Sequence, residues 1–239
     1  MERYSSLFYK ADQRTSRSSG HTRVLGSLAQ PFGQLACIED VFLSPEEEMS
    51  YSDSSGLLHV FLPISGLLAF RENGTEDRYL APEEALFFCG ETLLARNPAG
   101  QIPVNYLHIA LTASGSKSKE NRISSFSLRE LNQMTSLSAA ESTPGCFACA
   151  GVFTGRAKSS YALKDPENGL FVYIVNGAFE VEGRLMEHRD GLALWDISSI
   201  SFESLSEFGI LLLFEISLAH SPHQHNHNLW KESILLKKE

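Results

Sequence analysis

Eight histidines and four cysteines carry much of the chemistry open to this 239-residue chain. Four of the histidines, His220, His223, His225 and His227, sit in the run HSPHQHNHN near the C-terminus. His223, His225 and His227 alternate, so an extended segment would set them on one face, as a chelating site for a transition metal requires. The competing reading is a polar surface extension with adventitious nickel or zinc affinity. His59 and His108 lie instead inside apolar runs. His108 shares its face with Tyr106 and Ala110 and could complete a polar cluster with His59; the alternative for each is a hydrogen-bonded core histidine. Cys146 and Cys149 form a Cys-x-x-Cys pair. A redox role would need a helix N-terminus to lower the thiol pKa, and a zinc site would need a second pair. Here the pair opens the strand-like run CFACAGVF, where positions i and i+3 face opposite ways, which is a structural role. No Ser-His-Asp arrangement, phosphate-cradling glycine loop or nucleotide fingerprint occurs.

The elements that must position these residues read as strands. Gly56 to Phe70 is apolar and split by a Ser65-Gly66 turn; Ala85 to Cys89 and Ile102 to Leu111 continue the pattern. Residues 112–125 are rich in Ser, Lys and Gly and read as a linker. Ser127 to Met134 has a helix-like start, with Ser127 as N-cap and Glu130 as its capping-box partner. Strands resume at Cys146 and run to Ala219. No long helix alternates with them, which argues against a parallel βαβ sheet. The segment VFLPISGLLAF (Val60 to Phe70) resembles FVYIVNGAFEV (Phe171 to Val181), and acid-led strands follow each (Glu83 to Phe88, Asp190 to Trp195). The turn glycines Gly66 and Gly177 lie 111 positions apart, a spacing that fits a duplicated domain. Asn176-Gly177 suggests a type I′ hairpin, with positive φ at both residues.

Composition narrows the function classes. With 20 Lys+Arg against 29 Asp+Glu, the net charge is −9, so the chain has no net field to hold a nucleic-acid backbone. Its longest wholly apolar stretch is far short of a spanning helix, and the first ten residues lack the apolar core of a signal peptide. A reduced, cytoplasmic protein with no membrane or nucleic-acid partner is the expectation. The Asn73-Gly74-Thr75 sequon then reads as a turn.

Two strand-rich halves, each with a strand, a turn glycine, a strand and an acid-led strand, resemble a bicupin: an all-β fold of two tandem double-stranded jelly-roll barrels. Ala11-Asp12-Gln13-Arg14 resembles the Ala-Asp-x-Arg opening of pirin-like proteins, and Leu170 to Leu218 resembles the C-terminal cupin of pirin-like and quercetin-dioxygenase-like proteins. The resemblance implies an N-terminal cupin over 1–112, a linker with a short helix over 113–145, a C-terminal cupin over 146–219 and a His-rich extension over 220–239.

The same resemblance implies a metal site, held by His-x-His, a glutamate and a later histidine. Counting back from Gly66 places the His-x-His pair at Ser52 and Ser54 and the glutamate at His59 or Leu58. The position nearest the later ligand carries Arg96, a fixed cation that would repel a divalent metal. In the second half the same count gives Leu163 and Asp165, and His188 is the only histidine between 109 and 219. The expectation is therefore a first barrel with no metal cofactor, in which Ser52, Ser54, His59, Arg96 and His108 converge on a small, anionic ligand. Tyr161, Tyr173 and Trp195 would line the second barrel or simply fill it. The chain would act as a sensor or regulator through a protein partner or a homodimer. Two other readings stay open: a cupin oxygenase or isomerase using Fe, Mn, Ni or Zn held by His59 and His108, with or without a tail histidine, or a degenerate structural paralogue.

Overall fold

The computed structural model describes residues 5–19, 21–26, 28, 31–52, 57–90, 92–112, 121–137 and 146–218. Ser54 and the histidine-rich tail from residue 219 onward lie outside them. The described residues form strands joined by turns, with a single 3₁₀ turn at Ala11–Gln13. Among them, no helix is long and apolar enough to cross a membrane.

The strands build one frame twice. In the first copy, a large sheet carries Glu84–Phe88, Leu58–Ser65, Val104–Leu111 and Leu35–Leu43 side by side, and a four-stranded sheet orders Glu48–Ser52, Thr92–Arg96, Leu68–Glu72 and Arg78–Leu80. In the second, Gly191–Trp195, Asn168–Asn176, Gly209–Ser217 and Cys146–Phe153 repeat the first order, and Lys158–Ala162, Ser199–Ser204, Phe179–Val181 and Arg184–Met186 repeat the second. Gly66 and Gly177 occupy the same turn of the two barrels, each with φ +82°. Asn176 does not share the positive φ. The Asn-Gly turn therefore needs glycine at one position, as a type II turn does, and is not type I′.

Alternation along the strands sorts the apolar residues into three cores. Val41, Phe61, Phe70, Leu86, Leu93, Ala95 and Tyr106 fill the first barrel. Phe153, Leu170, Phe179, Phe202, Leu211 and Leu213 fill the second. The opposite faces of the two large sheets meet in a third core, with Ile38, Val60, Leu62 and Leu107 from one side and Phe171, Tyr173, Trp195, Leu212 and Phe214 from the other. Tyr173 and Trp195 therefore sit between the barrels, and only Tyr161 of the three expected aromatics packs against the second barrel's interior. Cys146 faces the core between barrels and Cys149 the second barrel, so the Cys-x-x-Cys thiols point apart. Burial pushes both thiols up to about 12, which makes them poor nucleophiles and poor ligands.

The chain crosses between barrels more often than the sequence suggests. Ser5–Tyr9 pairs with Gly191–Trp195 of the second barrel, while Arg122–Ser125 extends the first barrel's sheet at Glu84–Phe88. A boundary at 112 therefore does not divide the sheets. The helix expected at Ser127 to Met134 is absent. Eight residues are too few to hold a helix without tertiary support, and the surroundings favour another path. Phe126 and Leu128 pack onto the core between barrels, and Asn132, at φ 63°, donates its N–H to Val152 O at 2.8 Å.

The Ala11–Arg14 segment clasps the barrels together. Arg14 donates to Gly26 O (2.9 Å) and Ile38 O (2.8 Å) on the first barrel's side and to Tyr173 Oη (3.1 Å) on the second's. Ala11 N–H donates to Asp190 Oδ1 at 2.9 Å. Beside it, Arg189 of the second barrel forms an ion pair with Asp40 of the first and donates to Asn105 Oδ1 at 2.9 Å. Asn105 Nδ2 returns a 2.6 Å bond to Asp40 Oδ1. Burial raises the Asp40 carboxyl, against the pull of Arg189 and Asn105.

Candidate functional site: a polar row inside the first barrel

His59 on Leu58–Ser65 and His108 on Val104–Leu111 both alternate onto the face that carries Phe61 and Tyr106, the interior of the first barrel. Glu39, directly opposite His108 in the neighbouring strand, faces the same way. The result is a row of hydrogen bonds across three adjacent strands. His59 Nδ1 lies 2.9 Å from His108 Nε2, and His108 Nδ1 lies 3.2 Å from Glu39 Oε2. The second carboxylate oxygen, Oε1, accepts from Arg17 Nη2 at 2.9 Å. All three interior side chains are buried.

Proton positions in the row follow from chemistry. An ionised carboxylate can only accept, so His108 Nδ1 carries the proton that faces Glu39. A neutral His108 accepts at Nε2 from His59 Nδ1–H, and a charged one donates there to His59 Nδ1. For Glu39 itself, burial works against ionisation. The His108 hydrogen bond and charge, with the guanidinium groups of Arg17 and Arg14, outweigh it and hold the carboxyl below its usual range.

Aromatic rings fix the imidazoles in place. Tyr51 lies 4.5 Å from the His108 ring centroid, Phe61 stacks on it at 5.1 Å, and Phe88 lies 6.3 Å from His59. Tyr51 Oη and Tyr106 Oη share a 2.7 Å hydrogen bond, with the Met49 sulfur 3.6 Å from the former. A cleft of about 310 Å³, lined by Arg17, Ser18, Thr22, Val24, Glu47, Glu48 and Met49, includes both the Arg17 that holds Glu39 and the core side chains Val24 and Met49.

Of the expected site residues, the structure brings together His59 and His108 and moves two others out. Ser52 is exposed, because the alternation of Glu48–Ser52 turns Met49 and Tyr51 inward instead. Counting from the turn glycine lands one residue out of register, and a one-residue slip reverses every face. Arg96 is likewise outside the barrel: Leu93 and Ala95 of its strand point in, and Arg96 pairs with Asp77, which Arg71 also contacts at 2.9 Å. Ser54 lies outside the described residues. The sequence reading missed Glu39 and Arg17. Glu39 stands at the middle of the run LACIEDVFL, and a carboxylate there was the available signal.

Do these residues fit a transition metal? Two imidazoles and a carboxylate are suitable donor types. Their arrangement is not suitable. The His59 Nδ1 and His108 Nε2 lone-pair directions run toward each other, His108 uses both nitrogens within the row, and Glu39 lies on the far side of His108. The donors form a line where a metal needs them around a point. The inward positions on the flanking strands are Met49, Tyr51, Leu93 and Ala95, none of them an imidazole or carboxylate. Among the described residues no group of three His, Cys, Asp or Glu side chains is placed to hold a metal.

The second barrel shows what the frame itself demands. His59 corresponds to Leu170, in the strand preceding the equivalent turn. Leu213 pairs with Val172 as His108 pairs with Phe61, and Cys149 lies opposite Leu213 as Glu39 lies opposite His108. The polar row thus replaces leucine, leucine and cysteine. One buried carboxylate of the second barrel, Glu215, stands elsewhere and is spent on its own loop: it accepts from Tyr161 Oη (2.7 Å), Asp165 N (2.9 Å) and Asn168 Nδ2 (2.8 Å).

Comparison with known proteins agrees with this architecture. Residues 147–216 match the family model of the quercetinase C-terminal cupin domain. Comparison with curated proteins returned no match. Among solved structures, bacterial pirin YhhW from Escherichia coli in complex with nickel(II) is 15% identical, with a TM-score of 0.75 over 89% of this chain and 99% of that one. A quercetin 2,3-dioxygenase from Acinetobacter baumannii is 12% identical, with a TM-score of 0.72 over 97% of this chain and 89% of that one. YhaK from Escherichia coli is 14% identical, with a TM-score of 0.64 over 87% and 95%. The chain thus shares the two-barrel fold of these structures, and its second barrel matches the quercetinase C-terminal cupin domain.

Proposed function

We propose that this pirin-like bicupin is a small-molecule-binding or regulatory protein whose first barrel works without the transition metal of its metal-bearing relatives. The observation that carries the reading is the row itself. Where a cupin metal would need converging donors, Glu39, His108 and His59 satisfy one another in line, and the neighbouring inward positions are apolar or phenolic. The second barrel fills the row's positions with Leu170, Leu213 and Cys149, so the shared frame does not itself call for a buried, hydrogen-bonded row. Its presence in one barrel favours recognition there.

The rival reading is a metal-dependent cupin oxygenase. It is favoured by the nickel(II) complex of the YhhW pirin, by the likeness to a quercetin 2,3-dioxygenase and by the donor types of His59, His108 and Glu39. The two are separated by metal content together with binding of small organic molecules to the metal-depleted protein. The binding reading expects ligand affinity to survive chelator treatment and to fall in H59L. Loss of all binding on chelation, restored by adding one equivalent of metal, would favour the oxygenase.

A further inference from the structure

Met49 stands where the cleft meets the interior of the first barrel. Its strand, Glu48–Ser52, is the edge of the four-stranded sheet. The cleft separates that strand from the hairpin of Ser16–Ser19 and Thr22–Leu25 at the edge of the large sheet. Arg17, Ser18 and Glu48 of its lining are exposed, so the cleft opens to water. Met49 is half-buried there and packs against the core of the barrel.

Two phenols meet the same sulfur. Met49 Sδ lies 3.6 Å from Tyr51 Oη and 3.7 Å from Tyr106 Oη, and the two hydroxyls are 2.7 Å apart. Burial raises both tyrosines, so both hydroxyls keep their protons near neutral pH. One proton bridges the pair. The other has, among the described residues, the Met49 sulfur as its acceptor. A thioether is a weak acceptor, so this buried O–H is poorly met. An oxygen carried on the sulfur would be a strong acceptor beside both hydroxyls. The other described methionines are placed differently: Met186 is fully buried in the second barrel, and the Met134 sulfur packs over Gly151.

We propose that Met49 is an oxidation site, where the cleft admits a small peroxide to the sulfur and the Tyr51–Tyr106 pair receives the oxygen of the sulfoxide. With hydrogen peroxide the step balances. A sulfur lone pair forms the S–O bond, the O–O bond breaks, and the proton on the transferred oxygen goes to the departing hydroxide, which leaves as water. Methionine is oxidised by two electrons and the peroxide is reduced. The floor of the cleft changes from apolar to polar, and the poorly met hydroxyl gains a full acceptor. Methionine sulfoxide reductases return the sulfur to its first state, which makes the change reversible. Oxidation needs neither a metal nor a ligand in the barrel, so it is independent of the binding reading above.

The test treats the folded full chain with dilute hydrogen peroxide and follows each methionine by mass spectrometry of its peptides. Met49 is expected to be oxidised about tenfold or more faster than the buried Met186. Because the phenols hold the new oxygen on one side of the sulfur, one sulfoxide epimer is expected to exceed the other by about threefold or more, read on the isolated peptide with the reductase specific for each epimer. In Y51F/Y106F, which keeps the rings and removes the hydroxyls, that excess is expected to fall toward equality; Y51F is read the same way if the double variant does not fold. Oxidation of Met49 no faster than that of Met186, or equal epimers in the wild-type chain, overturns the proposal whether or not either variant folds. An excess that persists unchanged without the hydroxyls shows that they take no part and overturns it as well.

Discussion

His59 of the first barrel and Leu170 of the second occupy the same place in two copies of one frame, each on the inward face of the strand that leads to the turn glycine. The fold accepts a leucine there, so the imidazole is an addition to it. Replacing only His108, as H108L, removes the partner of both Glu39 Oε2 and His59 Nδ1 and is expected to cost about 1–3 kcal/mol. The triple variant H59L/H108L/E39C borrows the second barrel's side chains and is expected to recover most of that loss. Urea unfolding checks the pair; a triple variant less stable than H108L would show that the row holds the barrel together.

The ion pair between barrels makes the opposite case. Asp40 and Arg189 are both buried, and Arg189 comes from the other barrel. Removing the guanidinium in R189M leaves a buried carboxylate with Asn105 as its remaining side-chain donor, at an expected cost of about 3–5 kcal/mol. R189M/D40N removes the stranded charge and should be more stable than R189M alone. An R189M chain that unfolds at the wild-type urea concentration would show that the clasp contributes nothing.

Acid should expose the Glu39 contribution. Its carboxyl is held below the usual range in the folded chain. It therefore stabilises the fold above its unfolded value, about pH 4.3, and that stability is lost as pH falls through the lower folded value. The stability difference between wild type and E39Q is expected to be largest near neutrality and to shrink below about pH 4. Asp40, raised by burial, acts in the other direction, but it is present in both chains and cancels. A difference that stays constant from pH 6 to pH 3 would contradict the assignment.

Gly66 and Gly177 should be equally intolerant of a side chain. Both have φ +82°, and a Cβ would lie 3.0 Å from Val104 at Gly66 and 2.9 Å from Ser206 at Gly177. G66A and G177A are each expected to lose about 1–2 kcal/mol through the left-handed backbone. A neutral outcome at either turn, read from the unfolding midpoint, would break the equivalence of the two barrels.

The duplicated frame was legible because its signals are local: an apolar strand, a turn glycine, another strand, repeated once. The His59–His108 meeting was legible from alternation on two long strands. What stayed hidden is set by pairing between distant segments. Glu39 joins the row only because Leu35–Leu43 lies beside Val104–Leu111, a register that sequence spacing does not carry. Ser52 and Arg96 failed for a related reason: a count of residues from a turn does not say on which face a strand presents them. Arg14 belongs to a recognisable opening motif, yet its role in tying two barrels depends on Tyr173, far along the chain.

The central claim is tested most directly by the metal content of the full chain, purified without a metal-affinity step, for wild type and H59L/H108L side by side. The metal-free reading expects Fe, Mn, Ni and Zn together to stay well below one equivalent in both proteins. Metal retained equally by both would place it away from the first barrel, as on His223, His225 and His227. Near one equivalent in wild type and its loss in the double variant would contradict the account and make the first barrel a metal centre.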